Sequence, residues 1–279
     1  MKLPTLKLNF ITIFLIIFPL ITSLGFYGYG LDFINSYYKN PLSWGTNQFI
    51  GWNIAGTMIG PVALGPFIVA LFLPLSIYLL IKEHLGQRTK IKKSLINISF
   101  ILLIHNWAVI LPILNAIRQG LATGPFYLIL LTLDKLKTKK QSSKILIIIL
   151  LLLTLSLNYL HKLGFLFFVI LSLSFLILSI KRSQRRISLI ATSALITFSL
   201  ITYYGVGNIS TRIIGFDLRL PFLVFAVVYC FVILFFKKKE FLENYIFIVP
   251  FYMNIFSIVF CYLGYNFEFE RLQMAVFIP

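Results

Sequence analysis

Long apolar blocks alternate with short polar stretches along this chain, and none of the blocks shows the strict two-residue alternation of a half-buried strand. A helix needs about 20 residues to cross the hydrocarbon core of a bilayer. Residues 145–180 are almost uninterrupted apolar sequence, which predicts two short crossings with a turn at His161 and Lys162. Residues 94–133 predict a second pair, turning near Pro112 to Arg118. Residues 187–236 predict two crossings joined by a longer loop at 205–220, and residues 8–81 two more joined by a segment at 27–56. A last crossing is expected from Tyr245 to Gly264. The count is nine, and the final residues, Met274 to Pro279, read as the start of a tenth helix, of a truncated end or of a re-entrant piece. The expected fold is therefore all-α: a polytopic integral membrane helix bundle of nine to ten transmembrane helices, residues 1–279 forming a single membrane domain. The runs are too long and too uniform for a closed barrel.

Charge orients this pattern. Of twenty-five Lys and Arg residues, nineteen fall in five short patches: Lys2 and Lys7; Lys82 to Lys93; Lys135 to Lys144; Lys181 to Arg186; and Lys237 to Lys239. Cytoplasmic loops carry such an excess of cations, so the patches predict a cytoplasmic N-terminus and a multi-pass protein of the bacterial inner membrane. The net charge of +17 is then a matter of loop topology and anionic lipid headgroups, not of nucleic acid. An apolar fraction of 59% excludes an ordinary soluble domain. Leu8 to Phe26 has no small-residue cleavage site and reads as a retained first helix. Cys230 and Cys261 lie within apolar runs with no metal spacing, and neither metal nor cofactor is implied.

Six cations depart from the pattern: Lys39, Arg118, Lys162, Arg212, Arg219 and Arg271 all fall at the opposite, outer ends of the hairpins. The inner patches hold fifteen lysines and four arginines, the outer set two lysines and four arginines. Lysine suffices to mark topology, whereas the planar fork of arginine suits phosphate or carboxylate. Arg118 is expected just inside the membrane boundary, with Asn115 and Gln119 at helical spacing on the same face. An arginine at that depth faces a cavity or snorkels to lipid phosphates. His161 shares the outer tier; it is a proton-exchanging group or an interfacial histidine bonded to a tyrosine or carbonyl. Asp32 is the outer carboxylate with no arginine close in sequence, whereas Asp217 lies beside Arg219 and Glu268 and Glu270 beside Arg271.

The stretch from Asn115 through Arg118 and Gln119 to Ala122 resembles the N-x-x-R-Q-x-x-A element of EpsG-like and Wzy-like polysaccharide polymerases. The downstream Leu160-His161-Lys162 in a short apolar hairpin, Gly30-Leu31-Asp32 followed by Tyr37, and Glu270-Arg271 are similar to further elements of that family. The resemblance implies a GT-C-like polymerase that joins oligosaccharide repeat units carried on a polyprenyl diphosphate at the outer face of the inner membrane. With it, Arg118, His161 and Asp32 are expected as catalytic residues and Asn115, Gln119 and Arg271 as substrate-binding ones, and the outer arginines Arg212 and Arg219 join the substrate-binding set by their position. Arginines would hold the diphosphate, and His161 or a carboxylate would accept the proton of the attacking hydroxyl. Implied partners are the lipid-linked glycan, membrane lipid, a chain-length regulator and a flippase. Arg118, His161, Arg219 and Arg271 are expected around one outward cavity. Another polyprenyl-linked glycosyltransferase or ligase, or a flippase or transporter of lipid-linked sugars, are the alternatives.

In a background free of Cys230 and Cys261, cysteines introduced at Lys139 or Gln184 are expected to react only from the cytoplasmic side, and one at Lys39 only from outside. Labelling of position 139 or 184 from outside would overturn the map.

Overall fold

The computed structural model describes residues 10–26, 28, 34, 50–88, 93–105, 107–114, 116–138, 144–161, 163–204, 219–235 and 242–262. These are helical almost throughout. In chain order they form α1 (Phe10–Ser23), α2 (Ile50–Gly56), a hairpin of β1 (Met58–Ile59) and β2 (Val62–Ala63), α3 (Leu64–Arg88), α4 (Lys93–Ile104), α5 (Trp107–Leu114), α6 (Ile117–Thr138), α7 (Lys144–Ser156), α8 (Leu163–Ser179), α9 (Arg185–Tyr204), α10 (Arg219–Phe235) and α11 (Tyr245–Tyr262). The antiparallel strands pair Met58 with Ala63 and Ile59 with Val62, and Gly60 turns the hairpin at φ +60°, a conformation glycine adopts without the steric penalty of a Cβ.

The expected turns and helices meet the structure closely where both exist. The 145–180 block breaks at 157–162, α9 and α10 flank the 205–218 stretch, and α11 starts at Tyr245 as read from sequence. The 94–133 block differs. Its first half is broken, α4 ending at Ile104 and α5 beginning at Trp107. His105 stands at that break, exposed, with its ring Nδ1 donating to the Ile101 carbonyl at 2.8 Å. The same carbonyl also accepts the His105 backbone N–H at 3.3 Å, so the ring adds a second donor at the last turn of α4. Among the described residues, α3 over Leu64–Glu83 and α11 over Tyr245–Tyr262 are long and apolar enough to cross a membrane, whereas the apolar parts of α1, α7, α8 and α10 are shorter.

The contacts divide the chain into two compact units. Unit 1 comprises residues 1–129 and 154–165; unit 2 comprises 130–153 and 166–279.

Unit 1 is built on α3, which packs against α1, α2, α4 and α5. Val69, Leu73 and Ile77 of α3 are fully buried. Phe100 of α4 sets its ring edge against both Phe14 of α1 and Tyr78 of α3, with centroids 6.0 and 5.2 Å apart, a favoured arrangement for aromatic pairs. The approach of α6 to α3 is closer than side chains normally allow. A methyl on Gly124 would lie 3.2 Å from the Leu73 nitrogen, and one on Gly120 would lie 3.0 Å from the Pro112 carbonyl and would overlap the Val69 side chain. Gly65 in turn faces Ile117. The contact pairs advance together along both helices, 65 with 117, 69 with 120 and 73 with 124, so α3 and α6 run parallel. Gly120-Leu-Ala-Thr-Gly124 is a small-xxx-small pattern, which lets helix backbones touch.

Unit 2 is built on α11, packed by α9 and α10. Ile248, Val249, Phe251, Tyr252 and Met253 are almost wholly buried. Tyr229 of α10 donates to the Phe247 carbonyl at 3.2 Å, and Thr192 of α9 hydrogen-bonds the Tyr252 hydroxyl at 2.7 Å. The Arg185 guanidinium donates to three carbonyls, Leu178 and Ile180 at the end of α8 and Leu242 before α11, at 2.9, 3.1 and 3.0 Å. Arg182 pairs with Glu243 beside it. From 185 with 242 to 192 with 252, α9 and α11 run parallel.

Around an apolar core, large apolar side chains are also exposed. Exposed residues include Ile13, Ile16, Ile17 and Leu20 on α1; Ile145, Ile148, Ile149, Leu152 and Leu153 on α7; and Val224, Val227, Val228, Phe231 and Phe235 on α10. Each set repeats at helical spacing and forms an apolar stripe facing outward. Gln119, Asp134, His161 and Asn254 are buried instead. Four buried hydroxyls are satisfied within their own helices: Thr22 donates to the Phe18 carbonyl, Ser76 to Leu73, Thr123 to Gln119 and Ser174 to Ile170.

Gly120→Val is expected to force α6 away from α3 and to cost about 1–3 kcal/mol by overpacking. In detergent the apparent melting temperature should fall by roughly 3–10 °C. An unchanged melting temperature would mean that the helix approach is not held at Gly120.

Candidate functional site

Arg118 and Gln119 occupy the first turn of α6. The Ala116 carbonyl accepts the Gly120 N–H at 3.2 Å and so opens the helix; Ala116 is its cap, and Arg118 and Gln119 follow at the second and third helical positions. Arg118 is half-buried and Gln119 is buried. No acidic residue accompanies them in this first turn. A cation here is opposed by the helix dipole, while the leading N–H groups and the guanidinium together favour an anion.

His161 lies at the turn between α7 and α8. The helix tightens into a 3-10 turn at Leu157–Tyr159, and the Leu157 carbonyl accepts the N–H groups of Leu160 and His161 at 2.9 and 3.0 Å. Gly164 allows α8 to begin directly against that turn: a Cβ there would sit 2.6 Å from the Leu157 oxygen. His161 then caps α8 twice. Its ring Nδ1 accepts the Leu163 N–H at 3.1 Å, and its carbonyl accepts the Gly164 N–H at 2.8 Å. The residue is 3% exposed.

The short helix α2 joins these two places within unit 1. Gly51 lies flat against the backbone of Leu160; a methyl there would approach the Leu160 carbonyl carbon and Cα to 2.8 and 2.9 Å. Four residues on, the Cα of Ala55 would lie 2.7 Å from a methyl on Gly65, and Gly65 in turn faces Ile117 beside Arg118. The buried Ala55 leaves no slack in this chain of contacts. Thus α2 ties the His161 turn to the start of α6, and Arg118, Gln119 and His161 belong to one end of one unit.

The remaining residues expected at the site are placed differently. Arg219 is the first residue of α10, in unit 2, and its side chain lies outside the described residues. Asp32, Asn115, Arg212 and Arg271 also lie outside the described residues. Among the described residues no group of three or more His, Cys, Asp or Glu side chains gathers that could hold a metal ion.

Two contributions were not anticipated from the sequence. Gly51 carries no local signal, because its partner is a backbone remote in the chain. Arg185, read as a cytoplasmic charge marker, is a clamp on three carbonyls. The Gly120/Gly124 pattern, by contrast, is readable as a helix-packing signal.

No protein-family model, no curated protein and no solved structure matches this chain.

Gly51→Val is expected to push α2 off the His161 turn and open the ring to reagent. With His84 and His105 replaced by Gln, acylation of His161 by diethyl pyrocarbonate should accelerate about tenfold or more, as for a group whose protection depends on local opening. A rate equal to that of the protein with Gly51 intact would show that α2 does not seal this turn.

Proposed function

We propose that this protein is a multi-pass membrane glycosyltransferase that joins oligosaccharide repeat units carried on a polyprenyl diphosphate into a surface polysaccharide. The observation that supports the reading is that the first turn of α6, which holds Arg118, and the turn of the buried His161 lie at one end of unit 1, linked through the contacts of α2 and Gly65. The resemblance of the Asn115-to-Ala122 stretch to the polymerase element falls at that same helix start.

The membrane part of the reading rests on more than α3 and α11. The outward apolar stripes of α1, α7 and α10 would each leave several large side chains in water, at about 1.5–3 kcal/mol for every one that burial would have covered. Contiguous apolar surface of this kind marks a membrane or a partner. The parallel pairs agree with the charge map: α3 and α6 both run toward basic stretches, and α9 and α11 both run away from them. In the reading proposed here, those basic ends are cytoplasmic, and the Arg118 end of unit 1 faces outward.

At that end the chemistry follows from the groups available. The donor's leaving group is a diphosphate. The Arg118 fork offers two parallel N–H donors to such oxygens, reinforced by the N-terminal turn of α6. Gln119 supplies a buried amide next to it. Charge develops on the diphosphate as the glycosidic bond breaks, and donors fixed by helix packing stabilise it without reorganising. Asp32, Asn115, Arg212, Arg219 and Arg271 complete the proposed set, Asp32 as a carboxylate able to assist the attacking hydroxyl and the others as ligands of the anionic substrate. The lipid-linked glycan is the substrate in this reading, and a flippase and a chain-length regulator are its functional partners.

Purified protein in proteoliposomes is expected to convert a polyprenyl-diphosphate-linked oligosaccharide into a ladder of multiples. Arg118→Lys keeps the charge and loses the fork, and should lower kcat/KM by about 10- to 100-fold. A substrate left unextended by the protein with Arg118 intact would overturn the assignment, and wild-type rates in Arg118→Lys would reduce Arg118 to a snorkelling residue.

A further inference from the structure

Two arginines tie together parts of unit 2 that are far apart in sequence. Arg185 heads α9. Its Nη2 donates to the Leu178 carbonyl and its Nε to the Ile180 carbonyl, both at the end of α8, at 2.9 and 3.1 Å. Its Nη1 donates to the Leu242 carbonyl, 57 residues away, at 3.0 Å. Each nitrogen of the planar fork thus serves a different carbonyl, which the point charge of a lysine could not do. The next residue after Leu242 is Glu243, which pairs with Arg182. The two contacts differ in access. Arg185 is half-buried, whereas the side chains of Arg182 and Glu243 are 55% and 33% exposed. The turn at Lys181–Gln184 is exposed throughout.

The partners of Arg185 are weak for a guanidinium. The three carbonyls are neutral acceptors, and a hydrogen bond to a charged oxygen is roughly twice as strong. Residues 181–186 hold four cations, Lys181, Arg182, Arg185 and Arg186. In the membrane reading this stretch lies at the cytoplasmic surface, where anionic headgroups gather. We propose that Arg182 and Arg185 form a latch with two positions: shut, on Glu243 and on the carbonyls of Leu178, Ile180 and Leu242, and open, on the phosphate of an anionic phospholipid. Shut, it binds the end of α8 and the start of α9 to the approach to α11. Open, it leaves those three carbonyls to water and frees the chain before Tyr245. The shut position engages both guanidinium groups, so the lipid binds the open one and shifts the balance toward it. This rests on the membrane orientation proposed above and is independent of the polymerase reading.

Hydrogen exchange of the full-length protein in nanodiscs reads the latch directly. The amides of Gln184, Ser188, Phe247 and Ile248 are hydrogen-bonded beside it. They should exchange about tenfold or more faster in an equal mixture of phosphatidylcholine and phosphatidylglycerol than in phosphatidylcholine alone. The amides of Leu160 and His161 in unit 1, bonded to the Leu157 carbonyl, should not change. Arg185→Lys keeps the charge and loses the three-way fork, and should exchange fast in both lipids. Equal exchange of the wild-type protein in the two lipids would overturn the proposal, and so would an undiminished lipid difference in Arg185→Lys. Should that variant not insert, Arg182→Gln, which leaves the carbonyl bonds in place, decides instead: the lipid difference shrinks, or persists and overturns the latch. Acceleration by inorganic phosphate in phosphatidylcholine discs would replace the lipid by a soluble anion and overturn the assignment. Labelling of Gln184→Cys from outside would remove the orientation itself, a failure distinct from equal exchange with that position cytoplasmic.

Discussion

Unit 1 depends on one close approach, α6 against α3, where Gly124 meets the backbone of Phe72 and Leu73 and Gly120 meets the Val69 side chain. In the membrane reading proposed above, no hydrophobic force would pull helices together, and association would rely on van der Waals contact and on hydrogen bonds. Glycines at a helix interface maximise that contact. Because the two helices touch in parallel register, the first turn of α6 is carried to the same end of the unit as the start of α3. The hairpin β1–β2 and α2 stand just before α3 in sequence. Arg118 thus owes its position to residues that have no chemistry of their own, and Gly51 and Gly65 extend the same device to the His161 turn.

A second constraint is backbone satisfaction. A helix end leaves N–H and C=O groups without partners, and an apolar environment offers no water to satisfy them. In this chain the rare polar side chains serve that need. His105 bonds a carbonyl at the end of α4, His161 accepts at the start of α8, and Arg185 closes three carbonyls between α8 and α11. Asn254, fully buried in α11, donates to the Pro250 carbonyl. Polar residues that sequence reasoning assigns to topology or catalysis thus carry structural duties first.

Each unit is organised around one long apolar helix, α3 or α11, with shorter or more polar helices packed on it. The shorter helices turn their apolar stripes outward, and polar groups are drawn in. In the membrane reading proposed above, the outward stripes would suit a low-dielectric surrounding, since an isolated polar group facing hydrocarbon costs several kcal/mol, on the order of an unmade hydrogen bond or more.

That the chain is helical was legible in the sequence, because long apolar blocks without two-residue alternation favour helices and polar stretches separate them. The breaks at 157–162 and before Tyr245 follow directly from that punctuation. The interruption between α4 and α5 was not legible, since His105, Asn106 and Trp107 sit inside a continuous apolar run. Arg118 and His161 were singled out by their position at the outer tier, but their chemistry was not. Whether His161 accepts or donates depends on a single backbone N–H two residues away, and whether it lies with Arg118 depends on a short helix docking through Gly51. Composition and periodicity determine which segments are helical and which stripes are apolar, because those are local properties of a chain in its solvent. Only the tertiary structure decides tautomer, burial and adjacency, because these arise from contacts between residues far apart in sequence, held by close packing at glycines.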